Sequence, residues 1–95
     1  MHLILFYEVV DDFVAKRQPF RAEHLKKARE AYDRGDLVLA GALLDPVDSA
    51  VLIFNGSKPE VAERFASSDP YVANGLVKKW YVRKWMTVVG EGATI

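Results

Sequence analysis

The chain has 95 residues, 13 basic against 13 acidic, and no cysteine, which leaves room for one hydrophobic core and no second. Balanced charge removes the sequence-independent attraction of a basic protein for nucleic acid or an anionic membrane, and the lack of cysteine excludes disulfides, thiolate nucleophiles and cysteine metal sites. The opening Met1–Tyr7 has no basic n-region and reaches Glu8 too soon for a signal peptide, and no apolar run approaches spanning length, so a cytoplasmic protein is expected.

Leu3 to Val10, rich in leucine, valine and aromatics, reads as a buried strand closed by Asp11-Asp12. Phe13 to Gln18 is a connector to Pro19, whose fixed φ suits the first turn of a helix. That helix runs to about Arg34, with Gly35 as its left-handed stop. At 100° per residue, Phe20, His24, Leu25, Ala28, Ala31 and Tyr32 share one arc, and Glu23, Lys26, Lys27, Arg29 and Glu30 hold the opposite one. Leu37 to Leu44 is a second strand, in which Gly41 signals a bulge or a close approach of backbone or ligand. Asp45-Pro46-Val47-Asp48 is a hairpin loop, so Ala50 to Phe54 returns antiparallel. Ser57-Lys58-Pro59-Glu60 has the spacing of a capping box for a second helix through Val61, Ala62, Phe65 and Ala66. Asp69-Pro70 breaks that helix and starts a short turn, Asn74-Gly75 ends it, and Leu76 to Val89 is the last and longest strand. Residues 90–95 form a patternless tail, expected to be loosely held.

The series is β-α-β-β-α-β within a single domain spanning 1–95, the ferredoxin-like α+β order with a four-stranded antiparallel sheet. Two crossover helices cover one sheet face, and an isolated domain should carry polar residues on the other. Here Leu3, Leu5, Tyr7 and Val9 are opposed by Ile4, Phe6 and Val10, and Trp80, Val82, Met86 and Val88 by Val77, Tyr81, Trp85 and Val89. An apolar face of that extent marks an interface, and a homodimer with its two open sheet faces packed together is expected.

His24 sits inside the apolar arc of its helix, where an imidazole needs a polar partner because an unpaired buried group costs about 1–3 kcal/mol. Asp69 is a candidate partner: a carboxylate accepting from one ring nitrogen fixes the tautomer and leaves the other nitrogen to carry a proton. The structural reading stands beside it, with His24 a satisfied core histidine and Asp69 simply the N-cap of a turn. Arg17 and Arg21 precede His24 and suit an anionic group at a pocket mouth, or else ion pairs with Asp11, Asp12 or Glu23. Tyr7, Tyr71, Trp80 and Trp85 are candidates for an aromatic pocket.

Two histidines without helical ligand spacing argue against a metal site. No dinucleotide fingerprint or P-loop is present, and the serines read as turn or cap residues rather than nucleophiles. Proton transfer remains, as isomerisation, elimination or hydrolysis. RNA-recognition modules share the element order, and Lys78, Lys79, Arg83 and Lys84 do alternate with Trp80, Tyr81 and Trp85. The third strand, Ala50-Val51-Leu52-Ile53-Phe54, lacks their signature, so no nucleic-acid partner is expected.

Arg17, Arg21 and His24-Leu25, Gly35, Ala40-Gly41, Asp69-Pro70-Tyr71 and Gly75-Leu76, followed by a long strand ending near Trp85, together resemble the YCII-related domain family over nearly the whole chain. The resemblance implies a dimeric α/β barrel and a His-Asp site carried by His24 and Asp69. It also implies kinship with cofactor-independent enzymes of lactone and quinol breakdown, including one that eliminates hydrogen chloride from a chlorinated hydroxyquinol. Many members place proline after the second-strand glycine, whereas Ala42 follows Gly41 here. The expected activity is that of a cofactor-free lyase or isomerase, with Arg17, Arg21, Tyr7 and Tyr71 contacting a small anionic or aromatic-derived ligand. A non-catalytic ligand-binding or assembly domain and a cofactor-free monooxygenase are the alternatives.

Overall fold

Alternation of large apolar side chains along the first strand, β1 (His2–Val9), decides which face of the sheet is covered: Leu3, Leu5, Tyr7 and Val9 are all buried. The structure, a computed structural model, describes residues 1–94; Ile95, the end of the expected loose tail, lies outside the described residues. After β1 come α1 (Phe13–Lys16), α2 (Gln18–Asp33), β2 (Leu37–Ala42), β3 (Ser49–Asn55), α3 (Glu60–Ser68), α4 (Pro70–Ala73) and β4 (Val77–Trp85). The strands lie in the order β2-β3-β1-β4, and every neighbouring pair is antiparallel. This is the ferredoxin-like βαββαβ fold, with α1 and α4 as single-turn additions.

Each helix end has a local cause. Pro19 lies in the first turn of α2. At the other end Gly35, at φ +88°, donates to the Tyr32 carbonyl and Asp36 donates to that of Ala31, the double closure of a Schellman stop. The expected connector before α2 contains the turn α1, entered through Asp12 at φ 59°. The capping box does not form: α3 takes Pro59 as its N-cap with no side-chain cap bond, which leaves Ser57 too far upstream to reach the first helical N–H groups. Of the two expectations for Gly41, a bulge or a close approach of backbone or ligand, the bulge is not found there: the register shift lies between Leu37 and Leu39.

The last strand is shorter than the sequence suggests. β4 is an edge strand paired only with β1, and that ladder ends at His2 opposite Trp85. Beyond this point its N–H and C=O groups have no strand partner, and the chain turns. Thr87 Oγ1 lies 2.8 Å from His2 Nδ1, and the Thr94 N–H donates to the Thr87 carbonyl at 2.7 Å.

The core fills the space between the inner sheet face and the helices, with Leu52 and Phe54 from β3 and Ala31, Ala62, Phe65 and Ala66 from the helices joining the β1 set. Full burial of one such Leu or Phe contributes roughly 1.5–3 kcal/mol. On the opposite face the register aligns Ile4 with Ile53, Leu39 with Ile53, and Phe6 with both Val51 and Tyr81. Phe6 and Tyr81 stack at 4.9 Å. Leu39 is 67% and Trp85 44% exposed. Among the described residues, no helix is long and apolar enough to cross a membrane.

Candidate active site

Asp69 is the hinge between two helices, closing α3 and capping α4 with an extended backbone, φ −73° and ψ 126°. That conformation turns its carboxylate inward, where it is fully buried and accepts three hydrogen bonds. Oδ1 accepts from the Tyr71 N–H at 3.0 Å and pairs with His24 Nδ1 at 2.8 Å, and Oδ2 accepts from the Tyr7 hydroxyl at 2.7 Å. A carboxylate can only accept, so the bond to His24 places the proton on Nδ1. Nε2 makes no hydrogen bond among the described residues.

The imidazole is held flat. It stacks on the Tyr71 ring at 3.9 Å and 12° between planes, and Phe65 meets it edge-on at 6.3 Å. Its side chain remains 13% exposed, and it opens onto a cavity of about 210 Å³. Arg17, Arg21, His24 and Tyr71 line one side, and Ala40, Gly41 and Ala42 of β2 line the other. A Cβ added at Gly41 would meet nothing within 4 Å. Ala42, the next residue of β2, is part of the same cavity wall.

All six site residues expected from the sequence come together here: His24, Asp69, Arg17, Arg21, Tyr7 and Tyr71 either line the cavity or bond to a residue that does. Trp80 and Trp85 do not line it; Trp80 packs against the core, and Trp85 lies 6.2 Å from His2 between ring centroids. Phe13, Leu25, Ala28, Ala50 and Leu52 also line it, none of them a site residue expected from the sequence. Arg17 and Arg21 form no ion pair with Asp11, Asp12 or Glu23, and the Arg17 guanidinium instead lies 5.3 Å from the centre of the Phe13 ring. Tyr7 is the residue whose bonding the sequence misses, although an inward-facing tyrosine on a buried strand signals that its hydroxyl needs a partner. No group of three or more His, Cys, Asp or Glu side chains gathers as a metal cluster among the described residues.

Burial pushes the Tyr7 hydroxyl far above the usual tyrosine range, and the Asp69 charge and hydrogen bond act in the same direction. Burial also raises Tyr71, while the Arg17 and Arg21 guanidiniums draw it back down; Arg21 approaches the Tyr71 oxygen without reaching hydrogen-bond geometry. In the unfolded chain a tyrosine loses its proton near 10.0, whereas folded Tyr7 keeps its own. Above that pH the unfolded state binds fewer protons, so stability, fully present below about pH 10, falls as pH rises by about 1.4 kcal/mol per unit for one such group. Tyr7→Phe should flatten this decline by one group's share in denaturation series run across pH 10. An unchanged slope would show that Tyr7 ionises freely in the fold.

The YCII-related domain model matches residues 1–86. The chain belongs to this family. It is 29% identical over 97 residues to Protein YciI of Escherichia coli and to that of Shigella flexneri, an alignment covering 93% of this chain and 99% of theirs. Among solved structures it resembles 5-chloro-2-hydroxyhydroquinone dehydrochlorinase (TftG) from Burkholderia phenoliruptrix, determined in complex with 2,5-dihydroxybenzoquinone. The TM-score is 0.78 at 17% identity, covering 93% of this chain and 96% of that one. A protein from Agrobacterium tumefaciens matches at a TM-score of 0.55 and 13% identity, with 92% of both chains covered. At these identities the structural matches establish the fold.

Proposed function

We propose that this YCII-domain protein is a cofactor-independent lyase or isomerase for a small anionic or aromatic-derived metabolite, with His24 as its general acid/base and Asp69 as the residue that orients it. The observation carrying this reading is the 2.8 Å bond from His24 Nδ1 to a buried carboxylate at the edge of a cavity, which leaves Nε2 to exchange protons with a ligand. In an elimination, Nε2 accepts a proton from carbon, the C–H electron pair becomes the new π bond, and the leaving group departs with its bonding pair. In an isomerisation the imidazolium returns that proton to a different carbon. Arg17 and Arg21 supply positive charge for an anionic substrate, while Tyr7 and Tyr71 give the cavity aromatic walls.

A cavity of about 210 Å³ suits a single substituted ring, since one of about 150 Å³ admits benzene. The dehydrochlorinase with the same fold acts on a ring of that size, which supports a dehydrochlorinase-like reaction here. The test is a turnover screen of ring acids, lactones and halogenated quinols, with His24→Ala alongside. A second reading is favoured by one observation: Asp69 is fully buried and satisfied by three donors, as a purely structural carboxylate would be. A binding or assembly domain of that kind would turn over nothing in the screen.

The open sheet face supports a homodimer as the working form. Leu39, Phe6, Ile4, Val51, Ile53 and Tyr81 make one contiguous apolar surface across all four strands, which a second copy would cover by a two-fold operation. Phe6→Glu paired with Leu39→Glu is expected to convert a dimer in sedimentation at micromolar concentration to a folded monomer. A wild-type protein that already sediments as a monomer removes this part of the reading.

A further inference from the structure

Two residues that line the cavity each carry a buried polar atom without any hydrogen-bond partner among the described residues: the Tyr71 hydroxyl and Arg17 Nε. Leaving either donor unsatisfied costs about 1–3 kcal/mol. The Tyr71 side chain is already fixed by its stack on His24, its edge contact with Phe13 at 5.4 Å and the burial of its residue to 3% exposure. Its hydroxyl therefore cannot swing out to solvent. Arg17 is fixed over the Phe13 ring. We propose that the Tyr71 hydroxyl and Arg17 Nε form a two-donor subsite for one ring-conjugated oxyanion, a phenolate or enolate oxygen, on a planar ligand.

This deepens the reading of the cavity as the substrate site. Each of the two groups offers one N–H or O–H. Two single donors from different elements suit one charged oxygen, whereas a carboxylate is best met by the parallel fork of a guanidinium. Conjugation matters for the chemistry: an oxygen that bears negative charge while carbon loses a proton stabilises the developing carbanion, which is what a proton transfer at Nε2 requires. Burial keeps the Tyr71 hydroxyl protonated, so that it donates to the ligand.

The test uses the purified protein and three small probes of similar shape: 4-nitrophenol, 4-nitroanisole, which cannot ionise, and 4-nitrobenzoate, which carries a carboxylate instead. Wild-type protein should bind 4-nitrophenol as its coloured anion at a pH where most of the free probe is protonated, and at least tenfold more tightly than 4-nitroanisole or 4-nitrobenzoate. Tyr71→Phe and Arg17→Lys, each checked for an unchanged fold by circular dichroism, should each weaken binding of the anion about tenfold or more, the loss expected for one hydrogen bond to a charged group. Arg17→Lys keeps the charge and removes Nε, so full retention there would mean that only net charge is sensed and would overturn the subsite. Equal binding of phenol and ether, preference for the benzoate, or no binding of any probe would also overturn it. A protein that binds the phenolate in this way but turns over no substrate removes the enzymatic reading alone; one that turns over a substrate through His24 without ionising the probe removes the subsite alone.

Discussion

Replacing His24 with alanine should lower turnover by about 10²–10⁴-fold on any substrate found for the cavity, the range supplied by one well-placed acid/base group. The effect should fall on kcat more than on KM. In the proposed reading the imidazole meets the ligand through Nε2 as the proton moves, whereas anionic binding rests on Arg17, Arg21 and Tyr71 beside it in the cavity wall. The substitution also removes the stack on Tyr71 and one donor to Asp69, so steady-state rates need a denaturation curve beside them. A variant that stays folded and keeps the wild-type rate would show that proton transfer does not pass through His24. A variant that loses only about 1 kcal/mol of stability, in a protein for which no substrate is found, would favour the structural role of the pair.

The parts of this site that could be read in the sequence are those governed by local geometry. The 100° period puts His24 on the inward arc of α2, and the Asp69-Pro70 pair announces a helix start, which it makes by accepting from the Tyr71 N–H. The meeting of the two, 45 residues apart, depends on how α4 seats against α2, and no spacing rule encodes that. The same arc predicts too much: Leu25 and Tyr32, assigned to the inner side, are 48% and 53% exposed. α2 lies over the β2 edge of the sheet, and the flank of its apolar arc that carries Leu25 and Tyr32 overhangs Val38 and Leu39. The length of β4, Val77–Trp85, is not legible in the sequence for a related reason. Thr87, Val88 and Val89 continue the strand composition, but a strand persists only while its neighbour does, and antiparallel β1 begins at His2, opposite Trp85. Tyr7 was legible as an aromatic facing inward and not as a donor to Asp69, because its partner comes from the other crossover.

Asp69→Ala should be the most destabilising single change at the site, by about 2–4 kcal/mol. The N-cap of α4 is lost, worth about 1 kcal/mol, and the Tyr7 hydroxyl is left buried with nothing to donate to, which costs roughly 1–3 kcal/mol. His24 contributes less to the penalty, since its ring retains some access to solvent. Against a total stability of about 5–15 kcal/mol for a small domain, the loss should appear as a clear drop in the urea midpoint at unchanged slope. Asp69→Asn should cost less than half as much. Its oxygen can keep the Oδ1 contacts with the Tyr71 N–H and His24, and the Tyr7 hydroxyl, which both donates and accepts, can turn to receive from the amide. The decisive comparison is a double-mutant cycle with Tyr7→Phe. Phenylalanine removes the group that Asp69→Ala would strand, so the alanine substitution should cost at least 1 kcal/mol less in that background than in wild type. Strict additivity would show that the 2.7 Å bond from Tyr7 to Asp69 contributes nothing to the fold, and that Asp69 is held in place by its helix cap alone.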